Sequence, residues 1–126
     1  MTVLDASVVI GFLDARDLHH ARAVAAIRAI AGGDVILPAT AYAELMVAPL
    51  RRKVGAAVER FLADFPMRVQ PLTVDIARRA ARLRARHRTL GLPAAVVLAT
   101  GDAVRADAVL TADRAWSRFG RRVKVI

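Results

Sequence analysis

The chain has no cysteine, no asparagine, only two lysines and six aromatic residues among 126. Without cysteine there is neither a disulfide nor a thiolate metal site, and a cytoplasmic setting is the expectation. With so few aromatics the core has to be built from Ala, Val, Leu and Ile. The 27 alanines point to closely packed helices on a small sheet. No run approaches the roughly 18 apolar residues of a membrane span. The opening residues 1–5 lack the basic flank and long apolar stretch of a signal peptide. There is no glycine-rich phosphate loop, and no serine has a paired histidine motif. His19, His20 and His87 show neither ligand nor triad spacing and read as surface residues.

What is abundant is positive charge. The formal net charge is +9, and arginine supplies 18 of the 20 basic residues. High-GC coding enriches Arg and Ala together and explains Arg over Lys. It does not explain the excess of basic over acidic residues, which favours an anionic partner. Arg78, Arg79, Arg82, Arg84, Arg86 and Arg88 crowd one stretch, and Arg51, Arg52 and Lys53 another. For any one of them the plain expectation is a solvated helix face. Arg114 and Arg118, following Asp113, are the better candidates for phosphate, while Trp116 reads as packing.

At this length the chain is expected to be one domain, residues 1–126, with a proper core. Short segments at 2–4, 35–37, 68–70, 108–111 and 123–125 read as strands. Helical patterning falls between them, at 7–13, 18–31, from Pro38, from about 54 to 65, from 74 and from Pro93 to about 104. Asp17 and Thr73 are placed to cap helices, Asp75 suits a first turn, and Pro49 reads as an interruption. Strands that read as mostly apolar and alternate with helices predict an α/β domain with a mainly parallel sheet.

In such sheets ligands bind beyond the carboxyl ends of the strands. Asp5 follows the first strand and Asp113 follows Leu110-Thr111-Ala112, so both fall at that edge. Asp5 could instead cap the helix near Ser7, and Asp113 could be a turn residue. Glu44 is the sharper signal. Its helical neighbours Thr40, Ala41, Val47 and Ala48 carry no charge, so the expectation is a carboxylate away from a solvated face, compensated by a metal or an arginine.

The ordered set Leu4-Asp5-Ala6-Ser7, Ala43-Glu44, Leu92-Pro93-Ala94-Ala95 and Leu110-Thr111-Ala112-Asp113-Arg114-Ala115-Trp116 resembles PIN-domain proteins, most closely the VapC toxins of bacterial toxin–antitoxin pairs. The resemblance spans the whole chain. It implies a three-layer α/β/α PIN fold and endoribonuclease activity dependent on Mg²⁺ or Mn²⁺. It also implies structured RNA such as tRNA or rRNA as substrate, a homodimer, and a cognate VapB-like antitoxin whose C-terminal segment masks the site. Carried over residue by residue, Asp5, Glu44 and Asp113 match acidic metal-site positions, and Ser7 and Thr111 match hydroxyl-bearing positions beside them. The chemistry is coherent: clustered carboxylates repel one another and so hold a hard cation.

One position departs from the pattern. Where the family has an aspartate, in the first turn of a helix whose dipole favours negative charge, this chain has Ala94. Asp102 lies eight residues further along, roughly 12 Å by helical rise, and Asp107 precedes its strand rather than following it, so neither substitutes. The expectation is weak Mg²⁺ binding and poor RNA cleavage, in a degenerate or disarmed member. The rival reading is a non-catalytic PIN module that binds RNA or a protein. A phospho-receiver domain needs a lysine at a strand end near the acids, and neither Lys53 nor Lys124 is so placed.

Overall fold

Each strand is three or four residues long, and the three central ones are nearly all apolar, as strands covered on both faces must be. In the computed structural model, which describes all of residues 1–126, they are β1 (Thr2–Leu4), β2 (Val35–Pro38), β3 (Met67–Gln70), β4 (Ala108–Thr111) and β5 (Val123–Val125). They pair in the order β3-β2-β1-β4-β5, and every pairing is parallel, so the sheet is wholly rather than mainly parallel. Parallel neighbours need crossovers, here supplied by helices: α1 (Ala6–Leu13), α2 (His20–Ile30), α3 (Ala39–Arg51), α4 (Gly55–Asp64), α5 (Val74–Arg86) and α6 (Leu92–Ala103). No helix is long and apolar enough to cross a membrane.

From β1 the chain builds outward through β2 and β3, then returns to the other side of β1 to lay down β4 and β5. The topological switch therefore lies between β1 and β4, in register through Val3–Val109 and Leu4–Leu110. A crevice beyond the carboxyl ends of those two strands is the expected ligand position.

The core is aliphatic. Val3, Leu4, Ile36 and Leu37 are fully buried, with Val8, Leu45, Val97 and Val109 packed around them. Helix α6 is enclosed along its middle, Ala95–Gly101 all being buried, which explains its small residues. A methyl group on Gly101 would fall 2.5 Å from Val109 Cγ2, so α6 touches β4 more closely than any side chain permits. Helix α5 packs chiefly on α6 through Ile76, Ala80 and Leu83 and turns its arginines outward. Thr73 caps it as expected, Oγ1 accepting the Ile76 N–H at 3.2 Å.

Pro49 does not interrupt. Helix α3 runs through it to Arg51, forgoing the one bond that an N–H at this position would give the Leu45 carbonyl. The chain closes normally beyond it, with Arg52 N–H on the Ala48 carbonyl and Val54 N–H on that of Pro49. A 3₁₀ helix, Arg114–Phe119, follows β4 and has no counterpart in the sequence reading. The histidines are half-buried rather than on the surface: His20 Nδ1 lies 2.7 Å from the Gly11 carbonyl, and His87 packs edge-on against Phe119.

Candidate metal and nucleic-acid site

Asp5 leaves β1 in extended conformation and precedes α1, yet its side chain makes no capping bond. Its Oδ2 instead accepts from Ser7 Oγ at 2.5 Å and from Thr111 Oγ1 at 3.0 Å. Each hydroxyl accepts in turn from the backbone leaving β4: the Ala112 N–H reaches Ser7 Oγ at 3.0 Å and the Asp113 N–H reaches Thr111 Oγ1 at 3.1 Å. Two hydroxyls thus fasten a buried carboxylate to the turn that carries Asp113. Thr111 is wholly buried, so Thr111→Val would leave the Asp113 N–H and one lone pair of Asp5 without their partner. We expect a loss of about 1–2 kcal/mol, read as a lower denaturant midpoint at unchanged m-value.

Asp113 is exposed and is indeed a turn residue: Oδ1 accepts the Ala115 N–H at 2.9 Å at the start of the 3₁₀ helix. That leaves its second oxygen free to face a ligand. Asp5, Ser7, Glu44, Ala94 and Asp113 line one cleft of ≈ 410 Å³, together with Ile10, Gly91, Pro93 and Trp116. Thr111 lies beneath it, tied to Asp5. Nothing in the chemistry of Ile10, Gly91 or Pro93 marks them in the sequence. Trp116 is buried, as its reading as a packing residue requires, but contributes to the cleft wall.

Glu44 corrects the expectation in one respect. It is exposed, as are Val47 and Ala48 beside it, so its apolar neighbours do not bury it. No arginine or lysine is within ion-pair distance of it. Loss of hydration beside the apolar cleft wall, and secondarily the negative charge of Asp5, hold its pKa above the usual glutamate value. A carboxyl whose pKa is raised on folding favours the folded state below the ordinary glutamate range, about pH 4.3, and that advantage is lost as pH rises through the raised value. In EDTA, Glu44→Gln should therefore gain stability over the parent as pH is brought from acid to neutral. Thermal melts that stay parallel across that range would show that Glu44 feels neither influence.

The three carboxylates share the cleft without closing into a cage: no group of three acidic or histidine side chains stands close enough to hold an ion by itself. Ala94 occupies the third position of α6, half-buried on the cleft wall, where a fourth carboxylate would point inward. Asp102 and Asp107 are engaged elsewhere, Asp102 with Arg122 at 2.9 Å and Asp107 with the N-terminal amine at 2.6 Å. That amine holds the Asp107 pKa below its ordinary value. The donor set is nonetheless all oxygen, the chemistry a hard divalent cation takes. Only four of the 18 arginines form ion pairs, so most of the basic surface is uncompensated. Neither Arg114 nor Arg118 lines this cleft; Arg118 lines another that adjoins it through Gly91, Ala94, Asp113 and Trp116.

An all-parallel α/β domain with an acidic cleft at its switch point is the architecture these residues define. The sequence profile of the PIN domain matches residues 2–122, and the chain belongs to the PIN domain family. No curated protein sequence matches it. Among solved structures, it is similar to a chain of a toxin–antitoxin complex from Klebsiella pneumoniae, at TM-score 0.84 and 21% identity, over 99% of this chain and 97% of that one. It is also similar to Mycobacterium tuberculosis VapC20, described as a sarcin–ricin loop cleaving toxin, at TM-score 0.80 and 20% identity over 95% of each chain. FitAcB from Neisseria gonorrhoeae matches at TM-score 0.72 and 23% identity, over 90% of this chain and 88% of that one. At these identities the likenesses establish a shared fold.

Proposed function

We propose that the chain is a VapC-like toxin: an endoribonuclease dependent on Mg²⁺ or Mn²⁺, acting on structured RNA such as tRNA or rRNA and neutralised by a cognate antitoxin. The observation that carries this reading is the convergence of Asp5, Glu44 and Asp113 on one cleft at the switch point of a PIN fold. These three residues would hold the cation, which when bound supplies Lewis-acid activation of water and charge neutralisation at a phosphodiester. Ser7 and Thr111 orient Asp5 by donating to one of its oxygens, leaving the other for a ligand. Arg52 and Arg118, which form no ion pair and line the two clefts adjoining the acidic one, draw in and hold the phosphate backbone. With Ala94 in place of a fourth carboxylate, the chain as it stands binds the cation weakly and cuts poorly.

The antitoxin reading has physical support beside the acidic cleft. A second, largely apolar cleft of ≈ 210 Å³ between α1, α3 and α4 shares Ile10 and Glu44 with it and includes Leu13, Leu45, Val54 and Val58. An amphipathic antitoxin segment laid there would bury apolar surface and reach the carboxylates. The resemblance also implies a homodimer, which sedimentation of the free chain would test. A second reading, a non-catalytic PIN module that binds RNA or protein, is favoured by Ala94 and by the lack of a compact three-ligand cluster. RNA cleavage by the chain and by Ala94→Asp, side by side on total tRNA and rRNA with Mg²⁺, Mn²⁺ or EDTA, separates the two.

A further inference from the structure

On the side of the acidic cleft away from Glu44 lies another cleft, of ≈ 220 Å³. The two share Gly91, Ala94, Asp113 and Trp116, so one runs into the other past the small side chain of Ala94. Its far wall carries Arg118 and Phe119. The Arg118 guanidinium lies over the Phe119 ring, 5.4 Å from its centre, and that ring is braced edge-on by His87 at 5.0 Å. Arg118 makes no ion pair, although a carboxylate, Asp113, lines the same space. A planar cation is thus held in place by an aromatic face, with its hydrogen-bond fork unspent, beside the site where a phosphodiester would react. The volume falls below the roughly 300–1,000 Å³ of a drug-sized pocket and suits one flat ring.

We propose that this cleft is a nucleotide subsite. The base next to the scissile phosphate, from a single-stranded stretch of RNA, lodges between the 89–91 loop and the 3₁₀ helix. Arg118 binds the phosphate of that same nucleotide through its fork. Unstacked bases are what RNA-binding clefts lined by aromatic and guanidinium faces accept. The proposal rests on the reading of the chain as an RNA nuclease and adds to it which strand form is taken and which side of the acids it leaves by. A side chain at position 94 would stand at the junction of the two clefts, so that residue also sets how freely a strand passes between them.

The test uses a labelled uridine RNA hexamer carrying one 4-thiouridine, in EDTA so that no strand is cut. Binding is measured for the unmodified chain, for Arg118→Ala and for Arg28→Ala. Arg28 is exposed in the last turn of α2, which leads into the amino end of β2, so its loss removes the same charge at the opposite edge of the sheet. Arg118→Ala should bind about tenfold more weakly, with its log–log salt slope shallower by about 0.7 for one lost phosphate contact on a single strand. Arg28→Ala should stay within about twofold of the parent. Photocrosslinks should fall on residues 89–91 or 116–119. Equal binding by the two variants, or crosslinks elsewhere, overturns the subsite and leaves the nuclease reading standing. No binding by the unmodified chain also overturns the subsite, and the nuclease reading is then decided by the Ala94→Asp cleavage comparison.

Discussion

Ala94→Asp is expected to raise divalent-metal-dependent RNA cleavage by on the order of 100-fold, the scale on which an ordered metal environment changes affinity or activity. EDTA should abolish the gain. Position 94 is the third residue of α6, and its side chain faces the cleft that Asp5, Glu44 and Asp113 line. A carboxylate there feels two opposed effects. The unsatisfied N–H groups of the first helical turn favour it by about 0.3–1 kcal/mol. The acids already present oppose it: after loss of hydration, the charge of Asp5 is what disfavours ionisation of Glu44, exposed though Glu44 is. Ala94 is half-buried, so a charge placed there also loses hydration. Repulsion and desolvation should win without metal, and Ala94→Asp should then melt lower than the parent in EDTA. Mg²⁺ reverses the sign by neutralising the cluster, so the variant should gain more from Mg²⁺ than the parent does. An EDTA melting temperature equal to or above the parent's would mean that the carboxylates are not crowded. Cleavage by neither form would move the binding-module reading ahead.

Gly101→Ala should be the most damaging single-methyl change in the fold. A Cβ at this position sits 2.5 Å from Val109 Cγ2, a distance real side chains do not adopt, and both residues are buried where α6 crosses β4. Alanine improves helix propensity by up to about 1 kcal/mol, which in an exposed helix would stabilise. Here the clash dominates, because neither the helix backbone nor a central strand can shift cheaply. A net loss of about 3 kcal/mol, the upper end of the cost of overpacking, corresponds to a fall on the order of 10 °C in Tm for a domain this size. The check is a double-mutant cycle. Val109→Ala alone leaves a void, but combined with Gly101→Ala it removes the methyl that clashes, so the pair should be far less destabilising than the sum of the two. Additive losses would place the strain elsewhere.

Much of the architecture is legible locally. The bounds of β4 and β5, the Thr73 cap and the parallel α/β class follow from apolar runs, turn chemistry and residue propensity. Pro49 is misleading because proline disfavours a helix interior without forbidding it, and α3 continues two residues beyond it. The 3₁₀ helix Arg114–Phe119 leaves no hydrophobic period to read, and only its capping residue, Asp113, has a recognisable chemistry. Glu44 shows the opposite failure: apolar neighbours suggest burial, but Val47 and Ala48 are themselves exposed. A run of residues reports what each prefers, not whether anything covers it.

The sequence by itself determined the kinds of element, the aliphatic core and the basic surface, because those depend on residue type and spacing within a few turns of chain. It also placed an acidic residue at the carboxyl end of each of two strands, and an alanine where the resemblance to the family implies another acid. Only the tertiary structure decided that those two strand ends are neighbours. Asp5 and Asp113 come from opposite ends of the chain, and it is the pairing of β4 beside β1, rather than beside β3, that sets them on one crevice. The same pairing lets Thr111 and Ser7 tie Asp5 to the Asp113 turn and runs the acidic cleft past Ala94 toward Arg118. Periodicity is a local property and carries no information about which strand lies beside which. That choice is made by the packing of helices on the whole sheet.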